Sequence, residues 1–290
     1  MHVMKHVQHC FVSWKWALRQ NGSQPSSMKK EREMMTRSIV FFDIDGTLLN
    51  EQKRIDPSTK QAITQLQQSG IYTAIATGRC PASFKWVCEE LNIQSFVSMN
   101  GQYVVFEGQV IHDNPIPAAE VDRLTTMADE RNHPLVYLQA DAMQKSMKHN
   151  TFTEALKQFQ IERLPIRQVS DSNKPVYQIL LFCNEQDGME YAAHFPDYQQ
   201  HRWHTHAVDF LHANTTKAVG LQKMIEHAGF SREHCYAFGD GTNDIEMLQF
   251  VGTGVAMGNA SDDIQMHANY VTSSNNEDGI RNGLQAIGLI

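Results

Sequence analysis

The chain is poor in cysteine, and what it has is scattered. Cys10, Cys80, Cys88, Cys183 and Cys235 are odd in number and form no CxxC pair. That excludes a disulfide framework and a thiolate metal knuckle, and fits free thiols in a reducing cytoplasm. No apolar stretch approaches the roughly 20 residues that cross a bilayer, so no membrane span is expected. There is no basic stripe, and the formal net charge is -7. A general attraction for nucleic acid or anionic lipid is therefore not expected, although a locally positive site could still take a small anion. Repeats and low-complexity tracts are absent.

What is present is an ordinary globular balance, 41% hydrophobic and 20% charged over 290 residues. That is enough chain for one large domain or two ordinary ones. Residues 1–36 read as a disordered N-terminal extension, with the domain beginning near Met28 or Met34. Their one apolar patch, Cys10 to Leu18, is broken by Lys15 and makes a poor signal peptide.

From Ser38 a regular rhythm sets in. Ser38 to Phe42, Ile71 to Ala76 and Ser95 to Met99 are short apolar runs, the mark of strands buried on both faces. Between them lie helices opened by Asp56-Pro57 and by Pro81. The alternation predicts right-handed crossovers and a parallel sheet. Around Asn114-Pro115-Ile116-Pro117 the rhythm changes to a mixed α+β block, and after residue 206 the parallel rhythm returns. The expected fold is α/β: a doubly wound, Rossmann-like parallel-sheet core (37–114 and 207–290) with an inserted α+β domain (115–206).

Three of the expected core strands end in polar clusters: DIDGT at 43–47, TGR at 77–79 and GDGTND at 239–244. Open parallel sheets bind ligands outside the carboxyl ends of their strands. Residues two apart on extended chain face the same way, so Asp43 and Asp45 can share one cavity, with Asp240 joining them. Three carboxylates together repel one another, and a divalent cation removes the conflict. With only oxygen ligands on offer, Mg²⁺ fits best, bridging to a substrate phosphate. An aspartate can attack phosphorus, and a second carboxylate can protonate the leaving oxygen. Thr77 offers a hydroxyl and a backbone N–H, and Lys217 an ammonium at a helix start, to the phosphoryl oxygens.

DIDGT, TGR, a lysine and GDGTND, in this order, resemble the four motifs of the haloacid dehalogenase superfamily of phosphohydrolases. NTTKAVGL, GDGTNDIEML and the place of the insertion are similar to the Cof-like sugar-phosphatase branch, whose insertion is a type-2 cap. The resemblance covers residues 37–290. It implies that Asp43 is the nucleophile and Asp45 the general acid/base. It makes Thr77, Gly78, Lys217, Asn243 and Asn100 phosphate- or substrate-binding, and gives Mg²⁺ to Asp43, the backbone carbonyl of Asp45, Asp240 and Asp244, the last in support of the metal or the lysine. It further implies a small phosphorylated metabolite as partner and a cytoplasmic protein, monomer or homodimer. A sugar phosphomutase, or a non-catalytic sensor of a phosphorylated metabolite, are the other readings. His201, His204, His206 and His212 crowd one region, but three or four converging ligands for zinc cannot be named, and they read as exposed edge residues. Arg79 reads as a partner for a surface acid.

Overall fold

The computed structural model describes residues 37–146, 152–158 and 161–290. The extension at 1–36 lies outside them. The first strand, Ile39–Phe42 (β1), is wholly buried. Ile39 and Phe41 enter one apolar cluster with Ala74, Leu221 and Met224. Val40 and Phe42 enter another with Ile63, Leu66, Phe84 and Ile280. A strand whose alternate side chains both meet apolar layers belongs in the middle of a covered sheet.

Helix Pro57–Gln68 (α1), strand Tyr72–Ala76 (β2), helix Pro81–Leu91 (α2) and strand Ser95–Ser98 (β3) follow. Both prolines stand in the first helical turn, where the missing N–H has no partner to lose. Asp56 caps α1 by position only: its side chain makes no bond to the helix and instead accepts from Asn50 at 2.8 Å. A 3-10 turn, Met99–Gly101, leads to the antiparallel strands Tyr103–Phe106 (β4) and Gln109–Asp113 (β5).

The insertion contains helix Ala118–Glu130 (α3), strands Leu135–Leu138 (β6) and Met143–Lys145 (β7), helix Thr153–Gln158 (α4), strand Gln178–Leu181 (β8), helix Glu185–His194 (α5), and strands Tyr198–His204 (β9) and Ala207–His212 (β10). The chain then continues through Lys217–Ala228 (α6), Cys235–Gly239 (β11), Ile245–Phe250 (α7), Thr253–Ala256 (β12), Asp262–Gln265 (α8), Tyr270–Val271 (β13) and Gly279–Ala286 (α9).

The main sheet runs β13-β12-β11-β1-β2-β3-β4-β5. It is parallel from β13 to β3. The chain leaves β1 on one side through β2 and returns on its other side at β11, so the strand order reverses between β1 and β11. A crevice opens at such a reversal, because the connections leave in opposite directions.

The second sheet, β7-β6-β8-β10-β9, is antiparallel throughout. One face, with Tyr137, Ile179, Leu181, Val208 and Phe210, packs on Leu124 of α3 and Tyr191 of α5. The other face places Val136 and Leu138 in a cluster with Cys80 and Met99, which come from the loops of the main sheet. Sequence reading returns the chain to the core at residue 207, and here the structure differs. Ala207–His212 is an interior strand of the second sheet, bonded to β8 on one side and β9 on the other. Ala207, Val208, Phe210 and Leu211 are buried because both faces of that sheet are covered, which in sequence looks the same as a core strand. The crossing back runs through 213–216. The short β7 had no legible pattern.

Candidate active site

The loops after β1, β2, β3 and β11 and the start of α6 meet over the crevice. Asp43, Asp240 and Asp244 each bring a carboxylate oxygen within 4.8 Å of the others. Lys217 Nζ donates to Asp43 Oδ1 at 2.6 Å and to Asp244 Oδ1 at 2.6 Å, and the lysine is only 1% exposed. Thr216 places it, capping α6 by accepting from the Val219 N–H. The second oxygen of Asp244 accepts the backbone N–H groups of Asp240 (3.0 Å) and Gly241 (2.9 Å), which shapes the GDGTND loop. Asp240 Oδ1 accepts from Thr47 Oγ1 at 2.7 Å. Gly46 has φ +81°, and a Cβ there would collide with the Asp240 carboxylate. Glycine is what lets the two acidic loops touch.

The electrostatics are unbalanced. Burial raises the Asp43 carboxyl; Lys217 pulls it down, Asp244 and Asp240 push it up, and it stands at about 8. Burial, with the charge of Asp244, lifts Asp240 to about 6 against the Thr47 hydrogen bond. Burial alone would lower the Lys217 ammonium, but Asp244 and Asp43 outweigh it and hold the group charged. Three oxygen donors within 4.8 Å of one another, two of them reluctant to ionise, fit a hard divalent cation: positive charge there would restore both carboxylates.

Asp45 stands apart from that cluster. Its carboxylate receives Arg79 Nε and Nη2, both at 2.7 Å, and Lys53 Nζ at 3.1 Å. Burial would raise its pKa, but the Arg79 hydrogen bonds and charge, with Lys53, hold it below the usual range. Arg79 does pair with an acid, and that acid is the part-exposed Asp45 of the first polar cluster. The signal was its place directly after β2, the neighbour of β1 in the sheet.

Thr77 is buried, and its hydroxyl accepts the Arg79 N–H at 3.1 Å. Its own backbone N–H, expected to face a phosphate, instead donates to Val97 O in the sheet at 2.9 Å. Parallel pairing of β2 with β3 continues one residue past the strand and consumes that donor. Gly78 packs against the Asn100 amide, with room for a Cβ only at 3.2 Å. Asn100 lies in the left-handed region (φ 52°). Its Oδ1 accepts from Asn243 Nδ2 at 3.2 Å, and its Nδ2 faces Gln178 Oε1 (3.3 Å) and Asp209 Oδ2 (3.5 Å) of the second sheet. Asp209 in turn accepts from Trp203 Nε1 at 2.8 Å. Asn243 and Asn100, each expected at the site, are thus bonded to one another, and Asn100 is tied to the insertion through Gln178 and Asp209. Neither was legible in sequence, since nothing marks which strand face meets the core.

Among the described residues, no three of the four histidines come together at metal-ligand distance. His204 and His206 have rings 6.0 Å apart, and His212 lies 3.3 Å from Pro115 O. His201, His204 and His212 are half-buried rather than exposed, leaving His206 the exposed one of the four, and His201 lines the cleft beside Lys217.

The chain belongs to the haloacid dehalogenase-like hydrolases, whose family model matches residues 40–284. Within them it is of the Cof type, a phosphoric monoester hydrolase. It is 40% identical over 257 residues to YkrA of Bacillus subtilis, which bears a provisional phosphatase name; the match covers 88% of this chain and 100% of YkrA. It is 30% identical over 267 residues to the pyridoxal phosphate phosphatase YbhA of Escherichia coli, covering 85% and 97%. Among solved structures, the HAD subclass IIB sugar phosphatase BT4131 superposes with a TM-score of 0.76 at 31% identity, covering 87% of this chain and 100% of that one.

Proposed function

We propose that the enzyme is a Mg²⁺-dependent phosphatase of small phosphate monoesters, working through a phospho-aspartate on Asp43. The observation that supports this best is the buried Lys217 clasped between Asp43 and Asp244 beside Asp240, at the point where the sheet order reverses. Asp43 forms the new oxygen–phosphorus bond as the bond to the leaving oxygen breaks. Asp45 supplies the proton to that leaving oxygen, then takes one from the water that attacks the phospho-aspartate. Arg79 and Lys53 favour the ionised, base form of Asp45, so a substrate that draws it off Arg79 also prepares its acid form. Lys217, Thr77, Gly78 and Asn243 hold the phosphoryl oxygens, and Asn100 faces the substrate. Asp43, Asp240 and the Asp45 backbone would hold Mg²⁺, with Asp244 in support. When bound, the ion supplies positive charge to the phosphoryl oxygens. The insertion acts as a cap that closes the cleft and keeps bulk water from the intermediate.

The reading places a small phosphorylated metabolite in the cleft of a cytoplasmic monomer or homodimer. Among the described residues, no helix is long and apolar enough to cross a membrane. The test is phosphate release from an aryl phosphate, with Mg²⁺ and with chelator. Asp43→Asn should lose at least about a thousandfold in turnover, because the nucleophile is gone. Full activity in that variant would overturn the mechanism.

A further inference from the structure

Asn259 belongs to none of the polar clusters read from the sequence, yet its amide reaches two of them. It follows β12 in the run GVAMGNA. β12 pairs in parallel with β11, and the pairing continues past the strand, where the Met257 N–H donates to Gly239 O at 3.0 Å. The loop after β12 therefore leaves the sheet beside the GDGTND loop. From there Asn259 Nδ2 donates to Gly46 O in the DIDGT turn at 2.9 Å, and to Asp240 Oδ2 at 3.4 Å. The other Asp240 oxygen is the one that accepts from Thr47. The carboxylate thus has a donor at each oxygen, one from the turn after β1 and one from the loop after β12.

The amide is not free to turn over. Its Oδ1 accepts the Asn275 N–H at 3.0 Å, so the NH₂ end must be the one presented to Gly46 and Asp240. Asn275 is fixed in its turn: its Nδ2 donates to Leu49 O at 2.7 Å, and its Oδ1 accepts from Ser274 Oγ at 3.1 Å. Gly258 N–H donates to Ser273 O at 3.1 Å, which ties the two loops together just before Asn259. A carboxylate that is free to rotate gives up that freedom when it takes a cation, whereas one already held by hydrogen bonds does not. Partners that hold a metal-binding side chain in this way are worth about 10–100-fold in affinity. We propose that Asn259 is a positioning residue for the divalent cation, fixing the Asp240 carboxylate and its distance from the DIDGT turn before the ion arrives. The proposal rests on the Mg²⁺-dependent phosphatase reading above and deepens it. Asn259 acts through Asp240 and Gly46, not on the substrate.

The experiment measures Mg²⁺ binding to the full chain by titration calorimetry, beside phosphate release from an aryl phosphate at rising Mg²⁺. Asn259→Leu keeps the shape and removes both donors; Asn259→Ala removes the amide altogether. Asn259 is exposed, so neither change takes a side chain from the core. Each should raise the Kd for Mg²⁺ by about tenfold or more, and the activity lost at low Mg²⁺ should return as Mg²⁺ is raised. Asn275→Ala is the comparison: it removes the bond to Leu49 O, which involves no carboxylate, and should leave the Kd near that of the wild type. A wild-type Kd in the folded Asn259 variants overturns the proposal and leaves the phosphatase reading standing. So does an equal rise in Asn275→Ala, or failure of both Asn259 variants to fold, since either makes Asn259 a part of the loop's packing alone. A wild type that neither binds Mg²⁺ nor needs it for phosphate release overturns both.

Discussion

Asp209 puts a carboxylate into the second sheet with only neutral hydrogen-bond partners: Trp203, Gln178 and Asn100. Burial dominates, and its pKa is pushed up to about 7 from 3.8. Below pH 3.8 the group is neutral whether the chain is folded or not. Between 3.8 and about 7 the folded chain keeps the proton that the unfolded chain has lost, so stability falls as pH rises through this window. Above about 7 the full penalty is present, at most about 4 kcal/mol. Asp209→Asn, which still accepts from Trp203, should show little gain near pH 4 and be the more stable protein at pH 8. Urea unfolding across that range checks it; a difference that does not grow with pH would show the carboxylate to be paired. Asp43 and Lys217, by contrast, were legible as sequence, because they sit in runs whose residue types match one chemistry. Asp209 occupies an unremarkable strand, AVDFLH, and became notable only once the strand was seen to be covered on both faces.

At the scale of elements, one buried amide bonds to both connections between the two sheets. Gln102, fully buried, follows directly on the Asn100-Gly101 turn. Its Oε1 accepts from Asn114 Nδ2 at 2.7 Å on the outgoing connection and from Thr215 Oγ1 at 3.4 Å on the returning one. Its Nε2 donates to Tyr177 O at 3.2 Å in the insertion. Gly101 (φ +101°) lets this turn lie against the start of α6, where a Cβ would run into Thr216 O. Gln102→Leu keeps the volume but takes this partner from the buried Tyr177 carbonyl and Thr215 hydroxyl and from the half-buried Asn114 amide, and should cost about 2–4 kcal/mol. Faster hydrogen exchange at 113–117 and 213–216, ahead of the rest of the chain, would show that the amide holds the joint; uniform acceleration would make it ordinary packing. The helices and strands of the main sheet could be read from apolar periodicity and proline placement. The joint could not, because hydrogen bonds between residues 102, 114, 177 and 215 leave no periodic trace.

For the whole molecule, the proposed function makes the three-carboxylate cluster a link between folding and cation binding. Mg²⁺ at a hundred times its Kd should stabilise the native state by about 2.7 kcal/mol, visible as a rise in Tm that chelator reverses. Asp240→Asn should abolish most of that rise while its metal-free Tm equals or exceeds the wild type, since one of the mutually repelling charges is removed. A Tm insensitive to Mg²⁺ in the wild type would show that the acids are balanced by Lys217 alone.

By itself, the sequence determined the layered α/β core and the identity of the acidic loops. Both follow from local rules: period-two burial for strands, and the demand of phosphoryl chemistry for carboxylates, a lysine and glycine at close quarters. The tertiary structure alone decided that β10 belongs to the second sheet, that Asp45 is clamped by Arg79, that the Thr77 N–H is consumed in the sheet, that His201 lines the cleft and that Asp209 meets Asn100. Each of these depends on which strand lies beside which, a choice made by packing across long stretches of chain rather than by the residues next in line.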